Sequence, residues 1–238
     1  STVTLYYSID VLFYISSAFA LLSILILMNM KETLKAKQRF SLSLLKISRK
    51  DIIAVEVLPA AFITFMSYIA YGTILTLIPD WTHHLGISNK GLFFIVFTIS
   101  SLVIRFLAGR ASDKYGRTRV ITLGLFLLVI ALFILGYANT FAGFLCGSIA
   151  YGIATGVLSP ALNAWTVDMS HPDHRGKAMA TMYIALEAGI GLGALLAGWF
   201  YHDIITRVPV ILYSSAAMAF LGFLFMLDRI KKARPSKV

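Results

Sequence analysis

The chain has 238 residues, of which 58% are apolar and 13% are charged, and its formal net charge is +10. Soluble proteins average about 45 to 50% apolar and about 25% charged residues. The composition therefore excludes an ordinary cytosolic enzyme, a disordered tail and a soluble nucleic-acid-binding domain. The mean hydropathy of +0.81 is typical of a protein embedded in a membrane.

Seven apolar runs follow one another along the chain. A helix needs about 20 apolar residues to cross a hydrocarbon core of about 30 Å, and each run approaches or exceeds that length. Their approximate limits are residues 11–30, 52–78, 92–108, 120–137, 141–165, 178–200 and 209–227. The sequence therefore predicts an all-α, polytopic transmembrane helical bundle.

The basic residues alternate between the two sides of this predicted bundle. All but two of the 21 Lys and Arg residues fall in the segments 31–51, 105–119, 175–177 and 229–237, and the other two are Lys90 and Arg207. Connections rich in Lys and Arg normally stay in the cytoplasm. We therefore expect a multi-pass protein of the cell (inner) membrane whose C-terminus is cytoplasmic.

A basic segment, residues 31–51, separates the first run from the other six. Within it Phe40, Leu44 and Ile47 share one helical face, which is typical of an amphipathic helix on an anionic membrane surface. A solvated cytoplasmic linker explains the same residues equally well. Either interpretation divides the chain into residues 1–30, the linker 31–51, a six-helix bundle 52–228 and a cytoplasmic tail 229–238.

The connection between the third and fourth runs carries the most informative motif, GRASDKYGRTR at residues 109–119. It resembles the G-x-x-x-D-R-x-G-R-R signature of the major facilitator superfamily of secondary transporters. Lys114 stands where Arg is more frequent, which preserves the positive charge. The matching residues are Gly109, Asp113, Gly116, Arg117 and Arg119.

The position of this motif implies which part of such a transporter the chain represents. In the family the signature lies between helices two and three and is often echoed between helices eight and nine. The second copy of the signature matches this chain, because six runs follow the basic segment and the motif lies between the second and third of these six. The resemblance implies that residues 52–228 form the C-terminal half, built from two inverted three-helix repeats, and that residues 1–30 are the last span of the N-terminal half. We therefore expect a fragment whose N-terminal half is missing.

The resemblance also implies a gate at the motif. Gly109 and Gly116 are expected to let two helix ends approach closely and the backbone reverse, and Asp113 to face a helix N-terminus. By analogy with the family, Arg117 meets an acid at the cytoplasmic end of the fifth run, the place of Asp168, and the pair holds the cytoplasmic side closed. Ordinary anchoring by cytoplasmic basic residues is the alternative interpretation.

Two other segments resemble ligand sites or family loops. Residues 168–177 resemble the loop between helices ten and eleven of the family, in which Arg175 begins the Arg-Gly pair that commonly opens helix eleven. His171 and His174 in this loop lack further ligands in a defined pattern, so a solvated loop explains them better than a metal site. The GIGLG sequence at 189–193 lies inside an apolar run without the strand that a dinucleotide fold requires, so it and Gly198 predict close helix packing.

Glu187 is the most unusual residue inside a predicted span. It lies ten residues after Lys177, roughly 15 Å along a helix that rises 1.5 Å per residue, which is near the middle of the hydrocarbon core. It must then be protonated, paired or facing water. Together with Tyr183, one turn before it, Glu187 is a candidate for contacting cargo or exchanging protons. A neutral acid hydrogen-bonded between helices is the alternative.

Two further runs carry polar residues at helical spacing. The resemblance places both runs, like the one that bears Glu187, around a central cavity. Hydrogen bonding between neighbouring helices explains such stripes equally well. The stripes are Tyr151, Thr155, Ser159 and Asn163 in the fifth run, and Thr64, Tyr68 and Tyr71 in the second.

These residues predict a transporter rather than an enzyme. No nucleophile with its base, phosphate-binding loop or catalytic metal cluster is recognisable in the sequence, so we expect no cofactor, no metal and no nucleic-acid partner. The complete protein is expected to export drug-like or metabolite molecules by alternating access, driven by H+. A transporter of sugars or other polar solutes and a non-transporting remnant or scaffold are the alternatives. The expected partners are membrane lipid, a small-molecule substrate, H+ and the missing N-terminal half.

Overall fold

The computed structural model describes residues 9–28 and 53–233, which contain seven α-helices and no strand. Helix α1 (Ile9–Met28) lies in the first of two compact units, residues 1–48, and the other six helices lie in the second, residues 49–238. The expected all-α class is confirmed. The helices of the second unit are α2 (Leu58–His84), α3 (Leu92–Tyr115), α4 (Arg117–Tyr137), α5 (Phe141–Met169), α6 (Arg175–Tyr201) and α7 (Val208–Ala233).

Six of the described helices, α2 to α7, are long and apolar enough to cross a membrane. They correspond to the second to seventh predicted runs, so this part of the prediction is confirmed. The apolar part of α1, Phe13–Met28, is shorter than these six, and its crossing of the membrane stays a prediction. The basic segment 31–51, with its predicted amphipathic helix, lies outside the described residues.

All six helices of the second unit extend beyond their predicted limits, and two of these extensions change the interpretation of a segment. Helix α3 continues to Tyr115 instead of ending near residue 108, so most of the motif is helical and not a turn. Helix α7 continues to Ala233, so the first residues of the predicted tail are also helical. A helix can leave the hydrocarbon core without ending, because its backbone hydrogen bonds are satisfied within the helix itself.

The six helices of the second unit pack as an open arc in the order α6, α2, α7, α4, α5, α3. The contacts repeat when the helices α2, α3 and α4 are replaced by α5, α6 and α7, in that order along the chain. The contact of α2 with α6 then corresponds to that of α5 with α3, and the contact of α2 with α7 to that of α5 with α4. Each group has three spans, so the second group crosses in the opposite direction to the first. The predicted pair of inverted three-helix repeats is therefore present.

Glycines allow the tightest helix contacts in this unit. A Cβ on Gly189 would lie 2.6 Å from a backbone oxygen of α2, and one on Gly193 would also collide with the α2 backbone. Gly156 of α5 is pressed against α3 in the same way. Close packing therefore explains these glycines, as predicted for Gly189 and Gly193. Gly191 and Gly198 are different: a Cβ there would meet nothing within 4 Å, so no helix of the described residues packs on these two, and close packing at them stays a prediction.

Candidate functional site

A single residue, Gly116, connects α3 to α4. Its φ of +92° lies in the region that side chains with a Cβ rarely adopt. Its N–H donates to the Ser112 carbonyl at 3.2 Å, which ends α3, and its carbonyl accepts from Val120 N–H at 3.3 Å, which begins α4. Gly109 lies inside α3, and a Cβ there would meet nothing within 4 Å. The expected close approach of helix ends at Gly109 is therefore wrong, because the reversal occurs at Gly116 alone.

Arg117, the first residue of α4, joins the ends of three helices. Its Nη1 lies 2.5 Å from Asp113 Oδ1 in the last turn of α3, and its Nε donates to Asp168 Oδ2 at 2.9 Å, near the end of α5. Nη1 also donates to Ser112 Oγ at 3.2 Å. A cation is unfavourable at a helix N-terminus, and the two carboxylates compensate for this position. Asp113 thus faces the first residue of α4, and the resemblance gave no indication that Ser112 takes part.

The cluster of Arg117, Asp113 and Asp168 is accessible to water. The Asp168 side chain is 52% exposed and the Arg117 side chain 24%. Exposed ion pairs typically contribute about 0 to 1 kcal/mol to stability. Because the energetic cost of opening such a pair is small, the geometry suits a contact that forms and breaks while the helices remain folded.

Other predicted residues lie exposed at the same end of the bundle, here called the motif end and defined by Tyr115 and Met169. Arg119 lies in the first turn of α4, and Arg175 begins α6, as the resemblance implied. His171 is exposed, and its Nδ1 accepts the Asp173 backbone N–H at 3.3 Å. No group of three or more side chains that could hold a metal occurs in residues 9–28 and 53–233.

A cavity of about 270 Å³ lies between α2, α3, α5 and α6. Most residues that line it are close to the middle of their helices, with Phe97 of α3 the exception, so the cavity lies about halfway along the bundle, where the two repeats meet. Five of the predicted residues line it together with two apolar residues of α6: Tyr68, Tyr71, Tyr151, Thr155, Ser159, Leu186 and Ile190.

One wall of this central cavity is aromatic. The ring centroids of Tyr68 and Tyr71 are 6.1 Å apart, those of Tyr71 and Phe97 are 6.3 Å apart, and those of Phe97 and Tyr151 are 5.6 Å apart. These separations are typical of favourable tilted ring pairs. The wall therefore presents ring faces and edges from three helices to a molecule in the cavity.

The hydroxyl groups near the cavity are satisfied in different ways. Thr155 Oγ1 donates to the Tyr151 carbonyl at 2.9 Å, and Thr64 Oγ1 donates to the Ala60 carbonyl at 2.8 Å. These two hydroxyls therefore bond within their own helices and not between helices. Tyr151 is completely buried, yet its hydroxyl has no hydrogen-bond partner among the described residues.

A second cavity of about 50 Å³ adjoins the first and shares Tyr68 and Ser159 with it. Asn163 and Tyr183 line this smaller cavity. The structure therefore brings eight of the predicted residues of α2, α5 and α6 to one region of the bundle.

Glu187 is the exception among the predicted residues. It is exposed on α6 and lines neither of these cavities, although Leu186 and Ile190 of the same helix line the central one. The described helices therefore do not place Glu187 in these cavities, and its contact with cargo stays a prediction. Its predicted exchange of protons is not tested by this geometry.

Arg105 is a residue that the sequence interpretation assigned to a basic connection, and that assignment is wrong. It lies inside α3, ten residues before the helix ends at Tyr115, and it lines the central cavity. That position is roughly 15 Å from the helix end at 1.5 Å per residue. The available signal was spacing: Phe97, Ser101 and Arg105 repeat every four residues and thus share the face of α3 that meets α5.

Two inverted three-helix repeats surround this cavity, and their six helices are long and apolar enough to cross a membrane. The sequence comparison agrees, since residues 60–238 match the model of the Major Facilitator Superfamily. The chain belongs to this family, and the protein is a multi-pass membrane protein of that type.

Similar curated proteins come from bacteria. The chain is 29% identical over 156 residues to Multidrug resistance protein 2 of Bacillus subtilis, which covers 65% of this chain and 39% of that protein. It is 24% identical over 177 residues to Quinolone resistance protein NorA of Staphylococcus aureus, which covers 74% of this chain and 45% of that protein. The chain thus spans less than half the length of the curated relatives it matches.

Solved structures share the fold. The human organic anion transporter MFSD10 (TETRAN) matches with a TM-score of 0.60 and 20% identity, over 77% of this chain and 48% of that chain. A peptide transporter, POT, in complex with sulfate matches with a TM-score of 0.60 and 19% identity, over 74% of this chain and 38% of that chain. At these identities the likeness concerns the fold alone.

Proposed function

We propose that this chain forms one half of an exporter that moves drug-like or metabolite molecules across the cell membrane by alternating access. The observation that carries the proposal is the central cavity, whose aromatic wall lies halfway along the bundle at the junction of the two repeats. Apolar pockets with a few polar groups are typical binding sites for small molecules. Such a wall favours drug-like cargo over sugars, which need many hydrogen-bond partners.

The resistance named in the two bacterial relatives supports export as the direction. In this proposal the motif end faces the cytoplasm, because the basic residues of the described chain concentrate there. The contact between Arg117 and Asp168 then closes the cytoplasmic side of the cavity and opens when the helices tilt. The accessible geometry of the ion pair supports a reversible contact of this kind.

The second half of the proposed transporter packs against α3 and α6, the two ends of the arc. Large apolar side chains are exposed on both helices, including Val103 at 61% and Phe106 at 75% on α3, and Leu195 at 61% on α6. Gly191 and Gly198 leave open space on α6. Exposed glycines on an apolar helix allow another helix to approach closely, so these faces suit a second bundle as well as lipid.

A proton is the proposed coupling ion, and Glu187 is the proposed exchanging group. Among the described residues, Glu187 is the carboxylate nearest to the middle of a span, and α6 exposes it on a face that a second bundle can cover. A carboxylate in that position changes its protonation state when water access changes. Alternating access would provide that change.

Transport by reconstituted protein tests this proposal. The chain is joined to the coding segment upstream of it, incorporated into inverted membrane vesicles, and given an imposed pH gradient with a panel of apolar fluorescent dyes of each charge. We expect uptake into the vesicles that depends on the gradient and stops when a protonophore is added. Vesicles that contain the chain alone are the matched control, and they should not accumulate dye.

Two outcomes contradict the proposal in different ways. Gradient-independent equilibration of a sugar, with no dye transport, would favour the polar-solute alternative. Absence of transport for every solute, with the protein correctly inserted, would favour a scaffold.

A further inference from the structure

We propose that Arg105 and the Tyr151 hydroxyl form a binding site for the anionic group of an aromatic cargo, an organic carboxylate or sulfonate, in the central cavity. The inference deepens the proposed function by naming a substrate class. It concerns binding, which is measurable whether or not the complete protein exports what it binds.

The first argument is the charge of the cavity. Arg105 is the charged residue that lines it, and no ion pair within residues 9–28 and 53–233 includes Arg105. Charged side chains near the middle of a membrane are costly unless they face water or a partner of opposite charge. A guanidinium is also permanently protonated and offers two parallel N–H donors to one carboxylate or sulfonate. Arg105 is exposed among the described residues, so its guanidinium is accessible to an anion in the cavity.

The second argument is the unsatisfied hydroxyl of Tyr151. The side chain is fully buried, lines the same cavity, and has no hydrogen-bond partner among the described residues. Buried polar groups are normally hydrogen-bonded, and an exception requires an explanation. A phenol O–H is a good donor to an anionic oxygen, so an anion in the cavity offers the Tyr151 hydroxyl a partner.

The third argument is the shape of the wall between these two groups. Phe97 precedes Arg105 by two turns of α3, and its ring contacts both Tyr71 and Tyr151. A flat aromatic ring stacked on this wall places a carboxylate or sulfonate substituent toward Arg105.

An organic cation is the rival occupant, because aromatic rings attract cations. The electrostatics of the cavity oppose it, since the charge already present in its lining is positive. Glu187, which could neutralise that charge, does not line the cavity. The lining therefore favours an anion over a cation of the same shape.

Binding of three matched probes to the full 238-residue chain in lipid nanodiscs tests the site. The probes are 2-naphthoate, its neutral amide 2-naphthamide, and the cation 2-naphthylmethylammonium, measured by equilibrium dialysis at low and high salt. We expect 2-naphthoate to bind at least tenfold more tightly than the amide, and the ammonium compound to bind most weakly. Arg105→Gln should remove the preference for naphthoate while leaving amide binding within about twofold, because only the charge interaction is lost.

Three variants separate the site from general effects. Arg110→Gln removes an equivalent charge from the same helix outside the cavity and should change nothing. Arg105→Lys should retain part of the preference, because it keeps the charge and loses the planar pair of donors. Tyr151→Phe should weaken naphthoate binding severalfold and leave amide binding unchanged. Size-exclusion profiles and thermal unfolding confirm that each variant is folded.

Equal binding of the three probes, preference for the ammonium compound, or an anion preference that survives Arg105→Gln in folded protein would each overturn the site. Failure of dye export in the complete protein, together with intact naphthoate selectivity, would reject the proposed function and leave the site standing. The two failures are therefore distinguishable.

Discussion

The Nε atom of Arg117 lies 2.9 Å from Asp168 Oδ2, which connects the first residue of α4 to the last turn of α5 across the boundary between the two inverted repeats. The family resemblance implied this pair from residues 51 positions apart in the sequence. Asp113 shares the same guanidinium. Loss of one carboxylate therefore leaves Arg117 partly compensated.

Charge reversal tests the role of this pair. Asp168→Arg places two cations together at the motif end, and we expect transport in the complete protein to fall about tenfold, which corresponds to roughly 1.4 kcal/mol. Arg117→Asp in the same protein should restore much of the activity by reversing the pair. Initial transport rates at equal protein levels measure the coupling, and purely additive losses in the double variant would contradict a gate at these two residues.

The chain reversal at Gly116 predicts a backbone effect. In Gly116→Ala a residue with a Cβ has to adopt a φ of +92°, and such a conformation typically costs about 1 to 3 kcal/mol of stability. We expect a lower thermal unfolding temperature in detergent. Gly109→Ala is the matched control, because its Cβ meets open space inside a helix and should be neutral or slightly stabilising. Equal effects of the two substitutions would contradict this account of the turn.

The contact between α2 and α6 predicts a packing effect. Gly193→Ala drives a Cβ into the backbone of α2 at Ile69, and overpacking of this kind typically costs about 1 to 3 kcal/mol. Gly191→Ala, two residues away, places its Cβ in open space within this unit. We therefore expect Gly193→Ala to unfold at lower temperature than Gly191→Ala in nanodiscs of the isolated chain. The packing account would be wrong if their order were reversed.

Open space at Gly191 also predicts a difference between the chain and the complete protein. If a second bundle packs on α6, Gly191→Ala should impair the complete transporter while leaving the isolated chain stable. Disulfide crosslinking from cysteines introduced on that face reports the contact directly. An unimpaired complete transporter would indicate that lipid covers this part of α6.

Glu187 predicts a pH effect on transport. Glu187→Gln keeps the size of the side chain and removes its ability to exchange a proton, so the dependence of the transport rate on pH should flatten. Glu56→Gln is the control, because Glu56 is exposed in the turn before α2 and lies outside the cavities. An unchanged pH profile in Glu187→Gln would exclude this carboxylate from proton coupling.

Much of the site was accessible from the sequence, because the motif and the polar stripes follow local rules. The spacing of Tyr151, Thr155 and Asn163 puts them on one helical face, and that face does line the cavities. Arg105 was missed because a basic residue near a predicted span end was counted with its connection. Glu187 was predicted to contact cargo from its depth and from the place that the resemblance gave its helix, whereas the rotation of α6 turns Leu186 and Ile190 toward the cavity instead.

The sequence by itself determined that the surroundings of these segments are lipid and that their secondary structure is helical. Runs of apolar residues that span a hydrocarbon core have to be helical, since lipid offers no partner for backbone polar groups. Only the tertiary structure decided which side of each helix faces the cavity, the neighbours or the membrane. In lipid an apolar side chain fits all three surroundings, so composition does not orient a helix. Close contacts at residues such as Gly193 and Gly156 do, because they fix the rotation of each helix against its neighbour.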